Sequence, residues 1–170
     1  TGIFLDQREN YLAAARYAKG GRALDCFTSS GGFALHLAPR VESVEAVDSS
    51  AASLEIARGN AAANGIANVE WKEADVFDLL AGYAGARRKF SLIVLDPPAF
   101  AKTKRAVEGA LRGYKELNLR GLKMVRPGGL LVTCSCSHHV GWADLEGAVA
   151  AAAADALRRV VELERRVAAP

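Results

Sequence analysis

The sequence has 170 residues, 51% hydrophobic and 24% charged, with a formal net charge of +3, a composition suited to one globular domain with a single buried core. No apolar run approaches the roughly 20 residues of a membrane span: the alanine-rich stretch at 148–156 is short and broken by Asp155. The opening residues lack a secretion-signal layout. Three cysteines, Cys26, Cys134 and Cys136, are an odd number without zinc-finger spacing. Disulfides, a metal and a membrane are therefore not expected, and a reduced, cytoplasmic protein is.

In chain order, short β-rich runs alternate with helical patterns. An amphipathic helix is predicted over 9–18, then a strand over 22–26, a glycine turn and a helix over 33–38. A second strand at 44–47 leads to a helix over 50–64 that Ser50 caps. A third strand at 69–72 precedes a short helix at 76–83. The strand at 90–95 is apolar on both faces, as a central parallel strand is. A long helix over 107–124 is expected to stop at Pro127-Gly128-Gly129. A fifth strand at 130–134, a helix over 142–157 and a sixth strand at 160–164 complete the pattern. Such alternation predicts a Rossmann-like α/β fold, a mainly parallel twisted sheet with helices on both faces.

In an open sheet of this kind, ligands bind beyond the carboxyl ends of the strands. The polar residues gather at those ends: the turn from Asp25 to Phe33, Asp48-Ser49, Asp75, Asp96-Pro97-Pro98 and Ser135-Cys136-Ser137. A glycine turn alone serves many nucleotides, so the acids discriminate. Asp48 lies where a carboxylate accepts both ribose hydroxyls. Asp75 is placed for the adenine amine, with Val76 or Phe77 against the ring. A dinucleotide fold wants small residues against its pyrophosphate, whereas Thr28, Ser29 and Ser30 crowd this turn. S-adenosyl-L-methionine, which has no phosphate, is the expected cofactor. Its expected contacts include Asp25, Phe27, Ser29, Gly31, Asp48, Ser49, Asp75, Val76 and Asp96. The competing reading of Asp48 and Asp75 is helix N-capping.

Proline restricts the residue before it, so Asp96 is held extended at a strand tip, suited to gripping a planar base edge. Pro97, Pro98, Phe100, Lys102, Lys104 and Arg105 are the expected substrate contacts. From Arg87 to Arg126 there are 11 lysines and arginines against three acids, while the rest of the chain is net acidic. Because the bias surrounds this loop, a polyanionic substrate is favoured over a merely solvated face. Carbon 5 of a pyrimidine is a poor nucleophile, and enzymes that methylate it first add a thiolate to carbon 6. Cys136, just past the fifth strand, is the candidate thiolate, with a pKa expected below the roughly 8.5 of a free thiol. Cys26 and Cys134 read as small buried hydrophobes, and His138 and His139 as loop residues.

TGIFLDQR, DCFTSSGGFALHLA, VDSS, ARGNAAANG, DVFDLL, LDPPAF, RGYKELN and PGGLLVTCSCS follow one another along essentially the whole chain. In this order they resemble bacterial 23S ribosomal RNA cytosine-C5 methyltransferases of the type with an N-terminal PUA domain. The resemblance implies a class I methyltransferase domain over 1–170 with strand order 3-2-1-4-5 plus a partial 6/7 edge. It also implies a fragment, lacking the PUA and linking domains and the last strand. It makes Cys136 the nucleophile and Asp96 the contact to the target base, and lays Gln7 and Arg8 over the methionine end. The implied reaction adds Cys136 to C6, methylates C5, removes the C5 proton and eliminates the thiolate; Ala99 leaves the base for that proton unassigned. The alternatives are methylation at guanine N7 or an amino group of RNA, and an RNA-binding module with a vestigial pocket. The oligomeric state is open.

Overall fold

The computed structural model describes residues 5–167; residues 1–4, the head of the TGIFLDQR motif, and 168–170 lie outside the described residues. Five strands form one parallel sheet: β1 (Arg22–Cys26), β2 (Ser43–Asp48), β3 (Val69–Glu73), β4 (Phe90–Leu95) and β5 (Val125–Thr133). Their order is β3-β2-β1-β4-β5, as expected. The helices are α1 (Arg8–Tyr17), α2 (Gly32–Leu37), α3 (Ala51–Ala63), α4 (Val76–Gly85), α5 (Val107–Met124) and α6 (Trp142–Asp155). Cys26 pairs with Val47 and Leu95, and Leu95 with Thr133. One row of residues therefore ends these strands together, and the turns that follow open on one edge.

Strand alternation sorts the core into two layers. Leu92 and Val94 pack with Tyr11, Ala14, Phe33 and Leu37 on the α1–α2 side. Ile93 and Leu95 pack with Val76, Leu80, Leu117 and Met124 on the α4–α5 side. The central strand β4 is thus buried on both faces, each large side chain contributing about 1.5–3 kcal/mol. Helix α6 packs on α5, through Leu145 and Ala148 against Ala110 and Tyr114 and through Ala152 and Ala153 against Leu122. Buried Glu45 in β2 is compensated by Arg88 at 2.9 Å and Lys72 at 3.0 Å. Ser50 caps α3, its Oγ accepting from the Ser53 N–H at 3.2 Å.

Two expectations are corrected. Helix α5 passes directly into β5 at Val125, and Pro127-Gly128-Gly129 lies inside that strand. The pairing jumps from Phe90↔Val125 to Leu92↔Leu130, so the motif forms a bulge in the ladder, with Gly128 at φ +72°. The sixth strand does not form, and the segment projects as expected of Val160 to Leu163 without a neighbouring last strand: residues 160–164 have no regular structure, and Val161 and Leu163 are 80% and 60% exposed. A strand needs a paired neighbour, and the sheet among the described residues ends at β5; the 6/7 edge is absent from it. This segment is tied by surface ion pairs, Arg16 with Glu164 at 3.5 Å and Arg165 with Glu146 at 3.2 Å. No helix of the described residues is long and apolar enough to cross a membrane.

Candidate active site

The turn after β1 is built around Asp25, which is fully buried. Its Oδ2 accepts from the Thr28 hydroxyl at 2.6 Å and the Ala34 N–H at 2.9 Å, while Oδ1 is buried without a partner. Burial lifts this carboxyl to about 7, against the Thr28 hydrogen bond that lowers it. Phe27, Ser29 and Gly31 take left-handed φ values of +64°, +50° and +89°. For two non-glycine residues this is strained backbone of the kind found at ligand sites. The alternation buries Thr28 and Ser30 and leaves Phe27 and Ser29 partly open. Gly32 is required by a close approach: a Cβ there would lie 2.4 Å from the Tyr11 ring. The Tyr11 phenol is pushed up to about 12, first by burial, then by the nearby carboxyls of Asp96, Asp25 and Asp6.

Asp48 ends β2 half-buried and accepts two backbone N–H groups, Ser29 to Oδ2 at 2.9 Å and Ser50 to Oδ1 at 2.9 Å. It therefore joins two turns and does not cap a helix. Asp75 does cap α4, with Oδ1 accepting from Asp78 N–H at 3.1 Å, and it is exposed. Val76 is buried beneath it and Ser49 is exposed. Gln7 accepts from Asn10 at 2.7 Å, and exposed Arg8 pairs with Glu9 at 2.8 Å.

Asp96 and Cys136 come together beyond β4 and β5. The Asp96 N–H meets the Cys26 carbonyl at 3.4 Å, and the Cys134 N–H donates to Leu95 O at 2.9 Å. Burial raises the Asp96 carboxyl to about 6, opposed by a hydrogen bond from the Cys134 thiol and reinforced by Asp6. Cys136 is exposed, its Sγ lying 3.5 Å from the Pro97 carbonyl. Its thiol is pushed up, by desolvation first and then by Asp96, which corrects the expectation of a lowered value. The cations stand on an exposed loop, and the nearest charge is a carboxylate. Cys26 is buried as expected, whereas Cys134 is only partly buried; desolvation is the first cause that pushes both thiols far up. His138 and His139 are exposed loop residues.

Pro97 is buried and Pro98 exposed. The Phe100 ring packs tilted against Tyr114, centroids 4.9 Å apart, and against Phe77 at 6.2 Å. Phe77, Phe100, Arg105, Gly109 and Arg112 line a groove of about 500 Å³. Lys102, Lys104 and Arg105 are exposed, and among the described residues none of them pairs with an acid. No group of described His, Cys, Asp or Glu residues is arranged to hold a metal ion. Residues without an assigned role in the sequence reading also shape the site. Asn60 donates to the Ser30 carbonyl at 3.1 Å, and Tyr114 bonds both serines flanking Cys136. RGYKELN and ARGNAAANG marked the places of Tyr114 and Asn60 without a role for either.

The profile of the methyltransferase domain family matches residues 18–164. The chain is 45% identical over 168 residues to ribosomal RNA large subunit methyltransferase I of Shewanella denitrificans. It is 41% identical to the protein of that name from Erwinia tasmaniensis. Each comparison covers 97% of this chain and 42% of the relative, so the chain spans less than half of their length. Among solved structures, a methyltransferase complexed with SAH superposes with TM-score 0.78 at 25% identity, covering 89% of this chain and 41% of that one. The sheet order, the strand-end crevice and the match over 18–164 agree: this chain belongs to the methyltransferase domain family and has its class I fold.

Proposed function

We propose that this domain transfers a methyl group from S-adenosyl-L-methionine to carbon 5 of a cytosine in 23S ribosomal RNA, through a covalent bond to Cys136. The observation that carries the reading is an exposed thiol against the Asp96-Pro97-Pro98 loop, Cys136 Sγ lying 3.5 Å from Pro97 O. The relatives of 41–45% identity are named as ribosomal RNA methyltransferases, which supports the substrate class.

The residues fit the cofactor. Phe27 and Ser29 line an open turn, Asp48 is half-buried beside it, and Asp75 stands exposed at the head of α4. Asp48 would take the ribose hydroxyls and Asp75 the adenine amine, with Ser49 and Val76 flanking them and Gln7 and Arg8 toward the methionine end. Asp25, fully buried, shapes the turn. S-adenosylmethionine supplies an electrophilic methyl on a sulfonium. The chain's own groups do the rest. Cys136 passes its proton to the Asp96 carboxylate and adds to C6, breaking the C5–C6 double bond. Asp96, with a carboxyl raised to about 6, hands that proton to N3 as charge gathers there. After C5 is methylated, a base takes its proton, the Cys136–C6 bond breaks to release the thiolate, the C5–C6 double bond re-forms and N3 returns its proton to Asp96. The target base must leave its stack to reach this edge. Phe77 and Phe100 offer aromatic faces to a base, and Lys102, Lys104 and Arg105 meet phosphates.

Target RNA containing 5-fluorocytosine tests the reading, because fluorine cannot leave as a proton. The expected result is a stable protein–RNA adduct mapped to Cys136. Cys136→Ser is expected to form no adduct while still binding S-adenosylmethionine. An adduct on Cys134, or full activity in Cys136→Ser, overturns the assignment.

A further inference from the structure

We propose that the buried hydroxyl of Tyr114 is a positioning hub that fixes Cys136 relative to Asp96, because it bonds both serines flanking Cys136 while one of them also holds the loop that follows Asp96. The proposal rests on the reading of Cys136 as the nucleophile.

Tyr114, on the inner face of α5, is 0% exposed. Its hydroxyl lies 2.9 Å from Ser135 Oγ and 3.0 Å from Ser137 Oγ. Ser137, 4% exposed, accepts the Ala101 N–H on its Oγ at 3.1 Å. The Ser137 N–H in turn donates to Ser135 Oγ at 3.3 Å. Two loops that share no strand, 96–101 and 134–137, therefore meet at Ser137 Oγ, which the phenol holds. In extended chain, residues one apart point to opposite sides. Drawing Ser135 and Ser137 inward turns Cys136 outward, where its thiol is exposed against the Pro97 carbonyl. One turn along α5, buried Asn118 donates from Nδ2 to the backbone carbonyl of Tyr114 at 2.8 Å.

A purely packing role for Tyr114 would be met by phenylalanine, which keeps the ring contact with Phe100 at 4.9 Å. Phenylalanine cannot keep the hydroxyl node. The hub therefore predicts an effect of Tyr114→Phe on chemistry that packing does not, since a misplacement of about 1 Å costs about a hundredfold in rate.

The test uses the full chain as wild type, Tyr114→Phe, Ser135→Ala and Ser135→Thr. Methyl transfer to RNA, thermal midpoint and the rate of Cys136 alkylation by iodoacetamide, read on the cysteine-bearing peptide, are measured for each. In Tyr114→Phe, kcat is expected to fall about 10- to 100-fold with KM for S-adenosylmethionine unchanged. Cys136 alkylation is expected to change rate severalfold. Ser135→Ala is expected to follow Tyr114→Phe, and Ser135→Thr, which keeps a hydroxyl, to restore activity. Unchanged kcat in Tyr114→Phe overturns the hub, as does a loss of kcat with an unchanged alkylation rate. If Cys136→Ser proves active, the nucleophile reading fails separately, and the alkylation rate in Tyr114→Phe still decides whether the phenol positions this thiol.

Discussion

On the β1–β2 side of the crevice, Asp48 is gripped by the N–H groups of Ser29 and Ser50 at 2.9 Å each. Backbone donors of two turns thus fix the direction its carboxylate faces. On the β4–β5 side, Asp96 and Cys136 are placed by loops whose anchor is a set of side-chain hydroxyls. Burial there raises Asp96 to about 6 and pushes both nearby thiols up. The first side, the proposed cofactor side, is set by main-chain donors. The second holds its thiols above their ordinary range and its carboxyl at about 6, close enough to neutral for Asp96 to take up and give back a proton. Recognition and chemistry are therefore held by different parts of the covalent structure, and substitutions should separate them.

Asp25 sits on the cofactor side but shares the burial of the other, so it tests the division most strongly. Its carboxyl stands at about 7 against the ordinary 3.8 of an aspartate, so the folded protein keeps a proton that the unfolded chain releases. The associated stability is full below about pH 4 and is lost as pH climbs through about 7, a difference of about 4 kcal/mol at most. Urea unfolding at several pH values should show this decline in the wild type and a flatter profile in Asp25→Asn. Parallel profiles would remove Asp25 as the source.

Asp48→Ala is the next largest effect. It should weaken S-adenosylmethionine binding by about 1.5–3 kcal/mol, the cost of charge-assisted hydrogen bonds, and leave Cys136 alkylation unchanged. Calorimetry that finds wild-type affinity would dissolve the cofactor half of the contrast. Neutralising Lys102, Lys104 and Arg105 together should reduce the slope of log affinity for RNA against log salt by about 2–3. An unaltered slope would place the phosphates elsewhere. The smallest effect belongs to the segment after α6. Arg165→Ala removes exposed ion pairs with Glu146 and Glu162, which solvent screens, and should leave the unfolding midpoint in urea nearly unchanged. A larger loss in urea unfolding would mean that the segment is more firmly docked than its exposure implies.

The strands and the polar residues at their ends were legible because each is a local pattern: a short apolar run, then an acid, a glycine turn or Asp-Pro-Pro. Residues 160–164 carry a similar pattern, yet strand formation is settled by a neighbour that local sequence does not contain. Pro127-Gly128-Gly129 read as a helix stop, but Met124 had already ended α5 and the three residues fall inside β5. Cys136 could be located from sequence, whereas the direction of its shift depends on which charges lie near it in space. Asp96 is near and the lysines of the loop are not among its causes. Tyr114 and Asn118 were hidden for another reason: helical periodicity assigns them to an inner face but says nothing of what their polar atoms meet there.

The irregularity in β5 has a bearing on how this architecture tolerates change over time. Between Phe90↔Val125 and Leu92↔Leu130, β4 advances two residues while β5 advances five. A shift of one residue in an ordinary ladder would exchange the two faces of everything downstream, turning Cys136 into the core. The surplus chain acts as an expansion joint. Lengthening or trimming around exposed Gly128 can be absorbed there while Leu130 to Thr133 keep their partners. Changes of length at the junction of helix and strand are thereby expected to leave the thiol at the far end undisturbed.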